Sequence, residues 1–282
     1  MSRRARPVVL LAVVLSMLAA PAQANLPRGD RVESDPAPTW GWEVLFEDGF
    51  DGPAGTPPAR WHAMTGWNGA VHNGYGQLDV ATLAQLRSTP GWLLPAGTTV
   101  KVSASVLMPD TGANYAAFWV QHPNALDPRE IDVIESYGPL KAAGAQVASH
   151  LCYDESLGNG VDECGAAGLV PEIQGVTDHF ADGARPWDAF WQYDAVFTVG
   201  GDQVLFAAVD GSGNQAYALG TTPDARRVPG NVLPFHLRLS NKDVDPEHAV
   251  PGGDRPSMLV DWVRVEVRYP PDPRPAAVPP AG

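Results

Sequence analysis

Glu130-Ile131-Asp132-Val133-Ile134-Glu135 sets three carboxylates among three aliphatic residues in one short run. The aliphatics read as a buried β-strand, whereas acids are poor strand formers and costly to bury as ions. Side chains alternate along a strand, so positions 130, 132 and 134 share one face and 135 points to the other. Glu135 joins Glu130 and Asp132 only if a β-bulge near Val133-Ile134 absorbs one extra residue. The bulge also lets both aliphatics turn away from the acids. The segment therefore requires a sheet with one acidic face, bent at this point.

The rest of the chain is patterned in the same way. In Val100-Lys101-Val102-Ser103-Ala104-Ser105-Val106 apolar and polar positions alternate with a period of two. Ala195–Val199 and Gln203–Val209 flank Gly200-Gly201-Asp202, a hairpin signal. Phe235, Leu237 and Leu239 alternate with His236, Arg238 and Ser240, and Val263, Val265 and Val267 with Arg264, Glu266 and Arg268. No long stretch shows a capped 3.6-residue period. With 29 Gly and 28 Pro in 282 residues, the pattern predicts one all-β domain, a sandwich or barrel of antiparallel sheets.

Arg3, Arg4 and Arg6, the apolar run Val8–Ala20 and Ala22-Gln23-Ala24 have the layout of a secretory signal peptide over residues 1–24. Residues 25–38 read as a polar leader, 39–269 as the domain, and 270–282 as a proline-rich disordered tail. Loss of the three arginines would move the formal charge from −13 to about −16. Such a chain repels nucleic acid, acidic membranes and polyanionic glycans, so neither nucleic acid nor membrane is an expected partner. Cys152 and Cys164, with eleven residues between them, read first as a disulfide of an exported protein, worth roughly 3 kcal/mol. Metal binding would need more ligands nearby.

Two glutamates with an aspartate between them suit double displacement at a sugar. Four effective strand steps span roughly 13 Å between Cα atoms. Long side chains leaning together on a concave sheet can bring the carboxyl groups toward the roughly 5–5.5 Å that a retaining glycosidase needs. Glu130 would be the nucleophile and Glu135 the general acid, then base, its pKa raised by neighbouring negative charge. Asp132 would hold Glu130 and share a proton with it. The competing reading is a cation site or a solvated edge strand.

This run resembles the E-[IL]-D-x-x-E signature of glycoside hydrolase family 16, the laminarinase, agarase and carrageenase-like group of retaining β-glycanases. Three flanking segments agree in order: WEVLFEDGFDG with Trp61, YAAFWV at 115–120, and RPSMLVDWVRV at 255–265. The resemblance implies a concanavalin A-like β-jelly roll of two curved antiparallel sheets, with Glu130, Asp132 and Glu135 in a concave cleft. It implies a site role for His150 beside the carboxylates. Trp67-Asn68, His72-Asn73 and Tyr75 resemble the loop that lines one end of the cleft; Trp92 and Trp119 are further candidates to pack on sugar rings. Trp191 stands where the family pattern F-H-x-Y has its histidine, and Trp262 reads as core or sheet-back packing. Many members hold a structural calcium on the convex side, and Asp48 and Asp261 sit at the corresponding motifs. No cofactor is required. Before Glu130 the pattern departs, with Arg129 in place of the usual glycine and no tryptophan in Asn124–Pro128.

The expected activity is endo-hydrolysis, with retention, of a neutral β-1,3- or mixed-linkage glucan by a secreted monomer. Alternatives are an agarase-like galactan hydrolase, a transglycosylase, and a non-catalytic glycan-binding jelly roll. Sulfated carrageenan fits poorly with an acidic chain, unless charge local to the cleft overrides the total.

Overall fold

Alternating strands need two apolar faces to meet, and two stacked antiparallel sheets provide them. The computed structural model describes residues 41–110, 114–122, 129–136, 147–153, 174–175, 180, 184–221, 223, 225, 228–243 and 256–270, with strands 147–153 and 174–175 taken through their backbone pairing. The signal peptide, the leader, Cys164 and residues 271–282 of the tail lie outside the described residues, as does the side chain of Cys152, so the disulfide does too.

One sheet runs in the order β13 (Gln215–Gly220), β12 (Val204–Val209), β11 (Trp191–Thr198), β6 (Thr99–Leu107), β15 (Met258–Arg268), β4 (Leu78–Val80) and β3 (Val71–His72). The strand β1 (Glu43–Asp48) joins it on β15. The other runs β10 (Gln174–Gly175), β9 (Val147–Tyr153), β8 (Arg129–Ser136), β7 (Asn114–Gln121), β14 (His236–Asp243), β5 (Ala84–Ser88) and β2 (Trp61–Ala63). All pairings between these strands are antiparallel, and no helix occurs among the described residues. β14 lies between β7 and β5, and β15 between β6 and β4; such crossovers make a jelly roll rather than a meander.

The predicted alternation decides which face is packed. Val100, Val102, Ala104 and Val106 of β6 meet Ala116, Phe118 and Val120 of β7 and Leu237 and Leu239 of β14 in one core. The Gly200-Gly201 hairpin joins β11 to β12, with Phe197 opposite Val204 and Gly200 at φ 73°. That left-handed turn is open to glycine without strain.

Two aromatic expectations, for Trp191 and Trp92, change here, whereas Trp262 packs on the back of its sheet as read. Trp191 is a core residue of the sheet that lacks the carboxylates, edge-to-face with Phe180 at 4.6 Å. Trp92 is also core, packed on Phe46 and Phe235. Trp262 is half-buried on the outer face of its sheet, with Arg264 5.4 Å from its ring centroid.

Candidate active site

β8 carries the bulge that parity required. Trp119 pairs with Asp132 while Phe118 pairs with Ile134, so Val133 is the extra residue opposite β7. On the other side Asp132 pairs with His150 and Glu135 with Ala148, two steps on β9 against three on β8. Ile131, Val133 and Ile134 are all fully buried members of the core. Glu130, Asp132 and Glu135 consequently lie on the opposite face of the same strand. Burying an aliphatic side chain is worth about 1.5–3 kcal/mol, so three of them hold this register firmly. A slip of one residue would exchange the apolar and acidic sets.

The neighbours of each acid follow from the register. Gln121 faces Glu130 and donates its Nε2–H to Glu130 Oε2 at 2.9 Å. That hydrogen bond favours the ionised carboxylate and fixes its rotamer. Glu135 faces Ala117, whose small side chain leaves the glutamate room on this face. Tyr115, on the same face of β7, has its phenol pushed above the usual range, first by burial and then by the charge of Glu135. Asp132 is 3% exposed and faces Trp119. The register sets His150 opposite Asp132, in line with its expected place; its side chain lies outside the described residues.

Trp119 shares this face but is only 6% exposed. Its indole Nε1–H donates to Ser240 Oγ at 3.1 Å, while Arg238 lies 4.8 Å and Lys242 5.8 Å from the ring centroid. The ring that was expected to pack on sugar is a seat for cations instead. Trp67 is half-buried in the turn after β2, where its N–H donates to the carbonyl of Met64. Asn73 belongs to the β3–β4 turn: its Nδ2–H donates to Gln77 Oε1 and its Oδ1 accepts the Tyr75 N–H. Both ends of the amide are used in shaping that turn, in the other sheet, so Asn73 is a turn residue.

Gln121 and Tyr115 were not singled out from the sequence. The signal that could have found them is register, since both lie on the acid-facing side of the strand that precedes the motif. Asp48 has a local role: Oδ1 accepts the N–H of Phe50, a non-glycine residue at φ 52°, and Oδ2 accepts the Trp61 indole N–H. Asp261 is the extra residue of a bulge in β15, between Val260 and Trp262. Among the described residues no three or more His, Cys, Asp or Glu are gathered to hold a metal.

This architecture is shared with an endo-1,3-β-glucanase of Streptomyces sioyaensis at a TM-score of 0.59 and 20% identity, over 84% of this chain and 100% of that one. β-Agarase A of Zobellia galactanivorans superposes with a TM-score of 0.57 at 15% identity, over 85% and 97% of the two chains. The fold is that of glycoside hydrolase family 16. A non-specific endo-β-1,3(4)-glucanase of family 16 also has it, at a TM-score of 0.51 and 14% identity, with 82% of this chain and 92% of that one covered. No protein-family model matches the sequence, and no curated protein matches it significantly. What the family 16 fold supplies here is the bent sheet on which β8 turns three acids outward.

Proposed function

We propose that the chain is an exported, endo-acting β-glycan hydrolase that cleaves with retention of anomeric configuration, on a β-1,3- or mixed-linkage glucan backbone. One observation carries the reading: the β8 bulge puts Glu130, Asp132 and Glu135 on one face while Ile131, Val133 and Ile134 fill the core. Three acids on a face opposite a fully packed core are costly unless they act on a ligand.

In this reading Glu130, held by Gln121, attacks the anomeric carbon, and Glu135 protonates the departing oxygen. A glycosyl-enzyme ester forms as the glycosidic bond breaks. Glu135, now a base, takes a proton from water, which displaces Glu130 and regenerates both groups. Asp132, buried between the two, holds Glu130 in position and shares a proton with it as charge moves. The expectation of an uncharged substrate rested on the net charge of the whole chain. That net charge does not resolve this face, where Arg87, Arg238 and Lys242 lie beside the three acids.

The test is a panel of β-1,3-, mixed-linkage and galactan polymers, read by released reducing ends. Wild type is expected to cleave at least one internally, with proton NMR showing the β-anomer first. Equal release by the Glu130→Gln variant would sink the catalytic assignment, and an α-anomer formed first would sink retention.

A further inference from the structure

A single row of residues crosses the acid-bearing face, strand by strand: His62, Arg87, Arg238, Trp119, Asp132 and His150 are successive register partners. Two arginines directly opposite each other on neighbouring strands repel, and the repulsion needs compensation. Among the described residues neither arginine makes an ion pair, and Glu130 compensates Arg238 only in part. The ion pairs described there, Lys101–Glu266 and Arg264–Glu47, both lie on the other sheet.

Arg238 is 5% exposed, and its one hydrogen-bond partner among the described residues is the Met64 thioether at 3.5 Å, although a guanidinium carries five N–H donors. Its Nε and that of Arg87 are buried without any partner. Arg87 is half-buried, so this pair is reachable from outside. Lys242, exposed and four residues along β14 on the same face, adds a third positive charge. Trp119 lies beneath Arg238 and Lys242 and restricts their motion. Burial first, and then Arg87, lower the pKa of Arg238, against a smaller opposing effect from Glu130. A buried cation facing another cation, with its Nε–H unused and its remaining hydrogen bond only to a thioether, is organised for an anion.

We propose that Arg238 and Arg87 form an anion-binding subsite of the cleft that takes a sulfate ester or carboxylate carried by the glycan. The inference rests on reading this face as the glycan cleft. Arg238 and Arg87 stand two and three strands from Asp132, about 10 and 14 Å at normal strand spacing. The anionic group therefore belongs to a sugar beyond the ring whose bond is cut. The overall negative charge of the chain then serves selectivity, because it opposes loose binding of polyanions everywhere except at this subsite.

The experiment uses the full chain with Glu135→Gln, which blocks turnover and keeps the charge of Glu130. Calorimetric titrations compare laminarin with its sulfated and carboxymethylated derivatives, and carrageenan with desulfated carrageenan. At least one charged member is expected to bind about 10- to 100-fold more tightly than its neutral partner, the effect of one or two charged hydrogen bonds. Which derivative wins separates sulfate from carboxylate. Added Arg87→Gln or Arg238→Met should bring the charged polymer to within about threefold of the neutral one. Arg87→Gln is the safer variant for folding, since Arg87 is half-buried, and a thermal melt checks both. Neutral polymers binding as tightly as charged ones, a preference that survives loss of Arg87, or no binding by any charged polymer would each overturn the subsite. Cleavage of neutral polymers without charge preference leaves the hydrolase reading standing and removes the subsite. Charge-dependent binding, together with wild type that cleaves nothing, does the reverse.

Discussion

Gln121 donates its side-chain amide to Glu130 across the β7–β8 ladder, at 2.9 Å. The hydrogen bond stops the carboxylate rotating away from the face it shares with Asp132. Gln121→Leu keeps the size and removes the donor. The expected result is a 10- to 100-fold loss in kcat with little change in KM, the size of one charged hydrogen bond acting on the nucleophile. A Gln121→Leu enzyme with unchanged kcat would mean that Glu130 is oriented by something else.

The bulge at Val133 is the second test. Deleting Val133 removes the extra residue, so alternation keeps Ile134 on the core face and Glu135 on the acid face, without the bulge. What is lost is one buried aliphatic side chain, worth about 1.5–3 kcal/mol, and the local bend that sets the spacing of the acids. The deletion is expected to fold with a lowered Tm and to lose at least about 100-fold in kcat, whereas Val133→Ala, a smaller buried side chain at the same register, should cost about 1–3 kcal/mol and leave kcat within about threefold. A deletion variant with wild-type kcat would show that the bulge is dispensable.

Much of this was legible in the sequence, because parity is arithmetic. Three acids and three aliphatics in six positions admit one arrangement that separates them on a sheet, and the register shows that arrangement. The alternating runs around residues 100–106, 235–239 and 263–267 gave β6, β14 and β15 for the same reason. The aromatic residues were less legible. Trp119 and Trp191 follow similar strand patterns, yet one is on the acid-bearing face and the other in the core, and only the pairing of distant strands decides that. The Arg87–Arg238 contact joins residues that are far apart in the chain, so composition, which is net acidic, pointed away from it. Asn73 was not legible either, because a turn and a ligand use the same amide.

Asp48 separates a local structural role from a metal role. Its two oxygens each accept an N–H, from Phe50 and from the Trp61 indole. Asp48→Ala removes two hydrogen bonds to a charged acceptor and leaves Phe50 unsupported in a left-handed conformation. A loss of about 2–4 kcal/mol in unfolding free energy is expected, read by urea titration. If Asp48 acts in this way, excess EDTA leaves the Tm of wild type unchanged. A Tm that falls with EDTA and returns with calcium would restore the metal reading for Asp48 and Asp261.

His236 reports on the arginines next to it. Its Nδ1 lies 3.0 Å from the Ser88 carbonyl, and its pKa is lowered, first by burial and further by the charges of Arg87 and Arg238. The folded chain therefore binds this proton more weakly than the unfolded chain. Stability from this group is intact above about pH 6.5, the unfolded value, and is lost as the pH falls through the lower folded value. Arg238→Met removes one of the two charges and leaves the burial. The His236 ring should then titrate at a higher pH in NMR, still short of an exposed histidine because burial is the larger cause, and acid unfolding should begin at lower pH. If its titration does not move, Arg238 does not act on His236 through its charge, and the crowding of positive charge on this face is weaker than the geometry implies.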